Sequence, residues 1–139
     1  METRFHLVVP ASINCLTVLA DLIDQATREN PVLDEQVNYD LLLCMDEACS
    51  NIIEHGYAGL KPAEIGFSLV IEADRVIMTI KDTGHPFDPN SAEPPDLSVP
   101  LSERAVGGLG LFFIKKTMDL VEYQVTDAGN IMTLTKYFT

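Results

Sequence analysis

The stretch Ile65-Gly66-Phe67-Ser68-Leu69-Val70-Ile71-Glu72-Ala73-Asp74-Arg75-Val76-Ile77-Met78-Thr79-Ile80 decides the fold class. Ile65, Phe67, Leu69 and Ile71 alternate, Glu72–Asp74 turn the chain, and Val76, Met78 and Ile80 alternate again. A period of two puts each apolar set on one face of a strand, so the segment predicts a hairpin with one buried face.

Upstream, a long helix is predicted from about Asp34 to His55, with Val37, Leu41, Cys44, Ala48 and Ile52 as its buried stripe. Gly56 follows, where a helix commonly ends with positive φ. An earlier helix has Ser12 as its N-cap, and Ile13, Leu16, Leu19 or Ala20, and Ile23 recur at helical spacing. It should stop before Asn30-Pro31, because proline disfavours helical geometry at the residue before it. Phe5, Leu7 and Val9 alternate in a first strand ending at Pro10.

Downstream, Pro86 to Pro100 holds five of the chain's eight prolines. No regular element persists there, so a loop of about 20 residues runs to Val106; such loops are usually lids or binding segments. Gly107-Gly108-Leu109-Gly110 opens a helix reaching about Leu120. A last hairpin has Val121, Tyr123 and Val125, a turn at Asp127–Asn130, then Met132, Leu134 and Lys136. The order β-α-α-β-β-loop-α-β-β predicts an α/β (α+β) two-layer sandwich, with helices packed on one face of a mixed, mostly antiparallel sheet. Residues 1–139 read as a single domain. A doubly wound Rossmann sheet fits poorly, since the strands come in hairpins and no βαβ unit carries G-x-G-x-x-G.

The formal charge is −12, from 21 acidic and 9 basic side chains in 139 residues. That balance argues against duplex DNA or an anionic membrane as partner, because both need clustered Lys and Arg. It leaves open a nucleotide held by backbone amides and a divalent cation. Cys15, Cys44 and Cys49 are odd in number and lack C-x-x-C spacing, so they read as small buried hydrophobes in a reducing compartment. Met1–Pro10 does not resemble a signal peptide, and apolar runs such as Leu41–Met45 are far short of a membrane span. A soluble, cytoplasmic domain is expected.

Three clusters carry chemistry. Glu47, Asn51 and His55 are four residues apart, so on an α-helix they share a face about 80° wide. From spacing alone they make a solvated helix edge more readily than a site. Asp82-Thr83-Gly84-His85 lies where the second strand of the central hairpin leaves the sheet; Gly84 permits a turn or the close approach of a ligand. The Gly107–Gly110 cluster presents free N–H groups at a helix start, which suits phosphate, although by itself it reads more simply as a hinge at the end of the loop. Jointly the three suggest a compact nucleotide and Mg²⁺ site, with Asn51 as an oxygen ligand and Glu47 as proton acceptor. His6, His55 and His85 show no metal-ligand pattern.

The segment Asp46–Tyr57 resembles the N box of the ATP-binding fold shared by DNA gyrase, Hsp90, histidine kinases and MutL. Asp82–Pro89 resembles its G1 box and Gly107–Lys116 its G2 box. The wordings Asn-Ile-Ile-Glu-His-Gly-Tyr and Pro-Phe-Asp-Pro narrow the resemblance to the anti-sigma-factor serine/threonine kinase branch. The resemblance implies Glu47 as general base, Asn51 as Mg²⁺ ligand and Asp82 as the acceptor for the adenine amine. It implies Gly84 at the pocket floor, residues 89–106 as the ATP lid, and Gly108 and Gly110 at the phosphates. His55 and Arg104 are counted with the nucleotide contacts, Arg104 as the basic residue within the lid.

The implied reaction transfers the γ-phosphate of ATP to a serine or threonine of an anti-sigma-factor antagonist. Antagonist and sigma factor compete for the kinase, which is expected to be a homodimer without direct nucleic-acid or membrane contact. The final strand lacks a clear Gly-Thr adenine-contact pattern, offering Asn130-Ile131 instead. One departure stands out more: Leu109 occupies a position where many kinases of this branch have a basic residue. It leaves a second reading open, a nucleotide-binding regulator that sequesters partners without efficient phosphoryl transfer.

Overall fold

A computed structural model describes residues 2–61, 63–86 and 108–138. Its elements are β1 (Thr3–Pro10), α1 (Cys15–Glu29), α2 (Glu35–Asn51), a π-helical turn (Ile52–Gly56), β2 (Glu64–Ile71), β3 (Arg75–Asp82), α3 (Gly108–Thr117), β4 (Leu120–Thr126) and β5 (Gly129–Tyr137). The strands form one sheet in the order β1-β2-β3-β5-β4. All four pairings are antiparallel, so the expected sheet is antiparallel throughout.

The central hairpin forms as its alternation dictates. Phe67 pairs with Ile80, Leu69 with Met78 and Ile71 with Val76, all buried on the inner face. Phe5, Leu7 and Val9 extend that face through β1, opposite Leu69, Phe67 and Ile65. Met132 and Leu134 of β5 continue it beyond β3, against Ile80 and Met78. Leu19, Ile23, Leu41, Cys44, Met45, Ala48 and Ile114 from the helices close one core over this face. Burial of apolar area is what holds the two layers together.

The helices depart from expectation at their ends. Ser12 does not cap α1: its carbonyl accepts the Cys15 N–H at 2.9 Å, and Asn14 occupies the N-cap position. Ile13 therefore lies in a turn before the helix, 61% exposed, and the buried stripe runs Cys15, Leu19, Ile23 and Ala26 instead. Asp34 does cap α2, its Oδ1 accepting the Val37 N–H at 2.9 Å. The α-helix then ends at Asn51 rather than His55 and widens into the π-turn, closed by Tyr57 N–H to Ile52 O at 3.0 Å. Gly56 is not the left-handed residue; Gly59 is, with φ of 74°. Helix α3 stops at Thr117, because Leu120 already begins β4. The last turn is Asp127-Ala128, so Asn130 lies inside β5, opposite Asp82.

The three cysteines are free and buried. Burial pushes the Cys44 thiol up to about 12, and Cys49 higher for the same reason. A partly buried ion pair also ties the layers: Lys136 Nζ lies 3.5 Å from Asp40 of α2 and donates to Thr117 O at the end of α3, 2.7 Å away. Leu41, with no exposed surface, sits at the centre of the core. Leu41→Ala is expected to lower stability by about 2–5 kcal/mol, the usual cost of such a cavity, read as a shift in the urea unfolding midpoint.

Candidate functional site

The end of α2, the turn after β3, the first turns of α3 and the β4–β5 ladder surround a small cavity. Ala48, Asn51, Ile52, Asp82, His85, Leu111, Tyr123 and Met132 line it. Two of the expected site residues, Asn51 and Asp82, thus meet although 31 positions separate them in the chain.

Asp82 is the last residue of β3 and is only 8% exposed. Its Oδ1 accepts the Gly84 N–H at 2.8 Å and the Asn130 side-chain amide at 3.0 Å. Burial holds its carboxyl above the usual range, and the bonds from Asn130 and Gly84 pull it partly back. Asn51, 7% exposed, is the complement. Its Nδ2 is buried with no hydrogen-bond partner among the described residues, an expensive condition for a polar group in a folded interior. Since amide nitrogen and oxygen exchange by a flip, this free carboxamide end can offer either a donor or an oxygen ligand. Among the described residues no three His, Cys, Asp or Glu side chains gather as a metal site. Mg²⁺ commonly uses one or two protein oxygens together with substrate phosphates, and Asn51 fits that role.

Glu47 lies one helical turn before Asn51, outside the lining of this cavity, and is half-buried. Desolvation, then the neighbouring Asp46 and Glu54 charges, raise its pKa. It stands against the beginning of α3: a Cβ added at Gly110 would overlap the Glu47 carboxylate, with Cδ only 3.2 Å away. The first turn of α3 thus packs directly on the Glu47 side chain, whose flexible carboxylate end would have to move for any larger residue at 110. Gly84 is used similarly. A Cβ there would run into the Gly56 carbonyl, and that carbonyl accepts the His85 N–H. The close approach that Gly84 permits is therefore to the backbone of the π-turn.

Tyr57 completes this junction. Its hydroxyl donates to Glu64 O at 2.9 Å and accepts the Thr83 N–H at 3.1 Å. His85 Nε2 lies 3.0 Å from Ala58 O. The π-turn has the opposite effect on His55. A π-turn takes more residues per revolution than the 3.6 of an α-helix, so the four-residue phase is lost after Asn51. His55 does not line the cavity; its ring lies 3.8 Å from the Glu54 carboxylate. Gly108 is the first described residue of α3. Arg104, the lid at 89–106 and the Leu109 side chain lie outside the described residues.

Sequence reasoning passed over His85, Tyr123, Met132 and, most of all, Asn130. His85 stood in the motif after β3 without a role of its own, and Asn130 stood at the end of the last turn, where Asn130-Ile131 replaces a Gly-Thr adenine-contact pattern. Neither carries a signal until the register of β5 on β3 is known.

Two substitutions test this geometry. Gly84→Ala should cost about 1–3 kcal/mol, the range for forcing an extra carbon into packed structure, because the Gly56 backbone cannot rotate aside. For Asp82 the sign follows from its raised pKa: the folded state holds the proton more tightly, so its contribution to stability is lost as pH rises through the folded pKa. Asp82→Asn, which removes the buried charge but keeps an acceptor oxygen, should raise the melting temperature at pH 7. That gain should shrink as pH falls below the carboxylate range, measured by thermal melts across pH.

The family of histidine kinase-like ATPase domains matches residues 9–136 of this chain. The chain is 34% identical over 102 residues to the serine/threonine-protein kinase BtrW of Bordetella bronchiseptica, covering 73% of this chain and 72% of that protein. It is 34% identical to the serine-protein kinase RsbW of Halalkalibacterium halodurans, covering 70% and 61% respectively. To RsbW of Listeria monocytogenes it is 31% identical, covering 70% and 64%. The chain thus spans somewhat under two thirds of the RsbW relatives' length. A site built where α2, the β3 turn and α3 converge, on a chain with these relatives, places it plainly: it belongs to the histidine kinase-like ATPase domain family, on the branch of the RsbW and BtrW protein kinases.

Proposed function

We propose that this chain is an ATP-dependent serine/threonine protein kinase and anti-sigma factor, acting in a partner switch by phosphorylating an anti-sigma-factor antagonist. The observation that carries the reading is the meeting of Asn51 and Asp82 in one cavity, with Glu47 a turn away against the start of α3. The relatives, named serine- and serine/threonine-protein kinases, support the reaction class. The resemblance of the three boxes supports the antagonist and the sigma factor as competing partners of a homodimeric, cytoplasmic protein. Among the described residues no helix is long and apolar enough to cross a membrane.

The residues divide the chemistry between them. Asp82 accepts a hydrogen bond from the exocyclic amine of adenine. The N–H groups opening α3, at Gly108 and Gly110, face phosphate with the positive end of the helix dipole. Magnesium, when bound, neutralises charge on the phosphate oxygens, and Asn51 is the residue that would hold it. A substrate hydroxyl attacks the γ-phosphorus, a new O–P bond forms, the bond to the β-phosphate oxygen breaks, and ADP leaves. Glu47 takes the hydroxyl proton. Its raised pKa makes it a stronger base than an exposed carboxylate. One helical turn, a rise of about 6 Å, separates it from Asn51, so base and cation act on the same phosphoryl group.

Leu109 favours the second reading, a sequestering nucleotide-binding regulator, because phosphate then lacks one cationic partner between the glycines. Incubation with labelled ATP, Mg²⁺ and candidate antagonists separates the two. Transfer is expected, and Glu47→Gln should reduce it by about 10²-fold or more while ATP affinity changes little. Tight ATP binding by the native chain without transfer to any antagonist would favour sequestration.

A further inference from the structure

Helices α2 and α3 run antiparallel, tied at both ends. Gly110 at the start of α3 meets Glu47, while Lys136 reaches both Asp40 of α2 and the Thr117 carbonyl of α3. Glu47 to Asp40 and Gly110 to Thr117 are each two turns, so the helices keep register. Midway, helical phase puts Cys44 and Ile114 on the core side, both without exposed surface. It puts Leu43 and Phe113 on the outer side. Phe113 is 45% exposed, and Tyr39, one turn before Leu43, is 61% exposed. Leu43 is half-buried, and none of the three belongs to the core. Single exposed apolar residues are ordinary, but three aligned side chains make a strip. It runs along the α2–α3 seam, and Glu47, half-buried and outside the cavity lining, stands at its head. Lys116 stands at its far end, three residues after Phe113, with its ammonium 5.5 Å from the Phe112 ring centroid. Lys115-Lys116 is the one adjacent basic pair in a chain of net charge −12. The head of the strip is acidic instead, with exposed Asp46 and Glu54 on either side of Glu47 in the chain.

We propose that this strip docks the protein substrate. The segment carrying the acceptor serine or threonine lies along the seam, with its hydroxyl at Glu47, apolar side chains on Leu43, Tyr39 and Phe113, and an acidic side chain at Lys116. This rests on the kinase reading given above and adds which feature of the antagonist is recognised. Charge sets the direction: an acidic residue is drawn to Lys116 and repelled by Asp46 and Glu54, so the reversed placement is disfavoured. Six residues separate Gly110 from Lys116, a rise of about 9 Å, which about three residues of extended chain would span. The preferred acceptor therefore has an acidic residue about three positions away and apolar residues between. Exposed aromatic side chains are the usual anchors of such contacts. Docking on the outer seam also leaves the cavity to the nucleotide.

The test measures steady-state transfer by the whole chain, with Mg²⁺ and labelled ATP, to the antagonist that accepts phosphate, and ATP affinity by titration calorimetry. The variants are Phe113→Ser, Lys116→Glu and, as a charge reversal remote from the seam, Arg28→Glu on α1. Phe113→Ser and Lys116→Glu are each expected to raise the KM for the antagonist about tenfold, while kcat and ATP affinity stay within about twofold. Arg28→Glu should leave all three unchanged. Neutralising the acidic residues nearest the acceptor in the antagonist should raise KM on the native chain and add little on Lys116→Glu. Native KM in both Phe113→Ser and Lys116→Glu would overturn the docking role. So would a loss confined to ATP affinity, or effects of Lys116→Glu and the neutralised antagonist that simply multiply. ATP binding by the native chain without transfer to any candidate antagonist would instead overturn the kinase reading, and the docking role with it.

Discussion

Burying a carboxylate at the end of a central strand is the constraint around which the rest of this site is arranged. Asp82 gives up most of its water, and a bare charge in that position would cost several kcal/mol. Two donors offset that cost, the Gly84 N–H from the following turn and the Asn130 amide from the neighbouring strand. Each requires a specific backbone arrangement. The first needs a tight turn, which packs against the π-turn at Gly56. The second needs β5 in the register that puts Asn130 opposite Asp82, with glycine at 129 to let the strands come close. The sheet order, with β5 inserted between β3 and β4, follows from the same pairing.

Glycine has a common purpose at three points of the site, and it is internal. Gly84 meets the Gly56 carbonyl, Gly110 meets the Glu47 carboxylate, and Gly129 meets the Asp82 carbonyl. Each removes a side chain where two elements must touch: turn on π-turn, α3 on α2, β5 on β3. Glycine-rich boxes are usually read as room for a ligand, and the phosphate site proposed at the start of α3 agrees with that. The contacts here show that the same residues also assemble the walls. At Gly84 and Gly129, where an added Cβ would meet backbone, a substitution therefore changes stability.

The π-turn has a comparable double effect. By lengthening the revolution after Asn51 it brings Gly56 and Tyr57 under the Asp82–His85 turn, where Tyr57 secures Thr83 and Glu64. It also takes His55 off the line of Glu47 and Asn51. The face shared by Glu47 and Asn51 survives because both lie in the regular α-helix. The widened turn at the end of this helix thus goes with the docking of a neighbouring turn.

What the amino-acid sequence by itself determined is whatever depends on local periodicity. The alternation of Ile65–Ile71 and Val76–Ile80 dictates strands with one apolar face, and the stripe through Val37, Leu41, Cys44 and Ala48 dictates a helix lying on it. The three boxes made Glu47, Asn51 and Asp82 legible as candidates, because short motifs carry residue types at fixed spacing. Helix ends were less legible: Ser12 and Gly56 have the right chemistry for caps, but turn bonds around Ser12 and packing against Gly84 gave them other duties. Only the tertiary structure decided that Asn130 stands behind Asp82 and that Gly110 yields to Glu47. It also decided that His85, rather than His55, reaches the cavity. Those relations join residues tens of positions apart, and strand register and helix contact are determined by burial across the whole core, which no local pattern encodes.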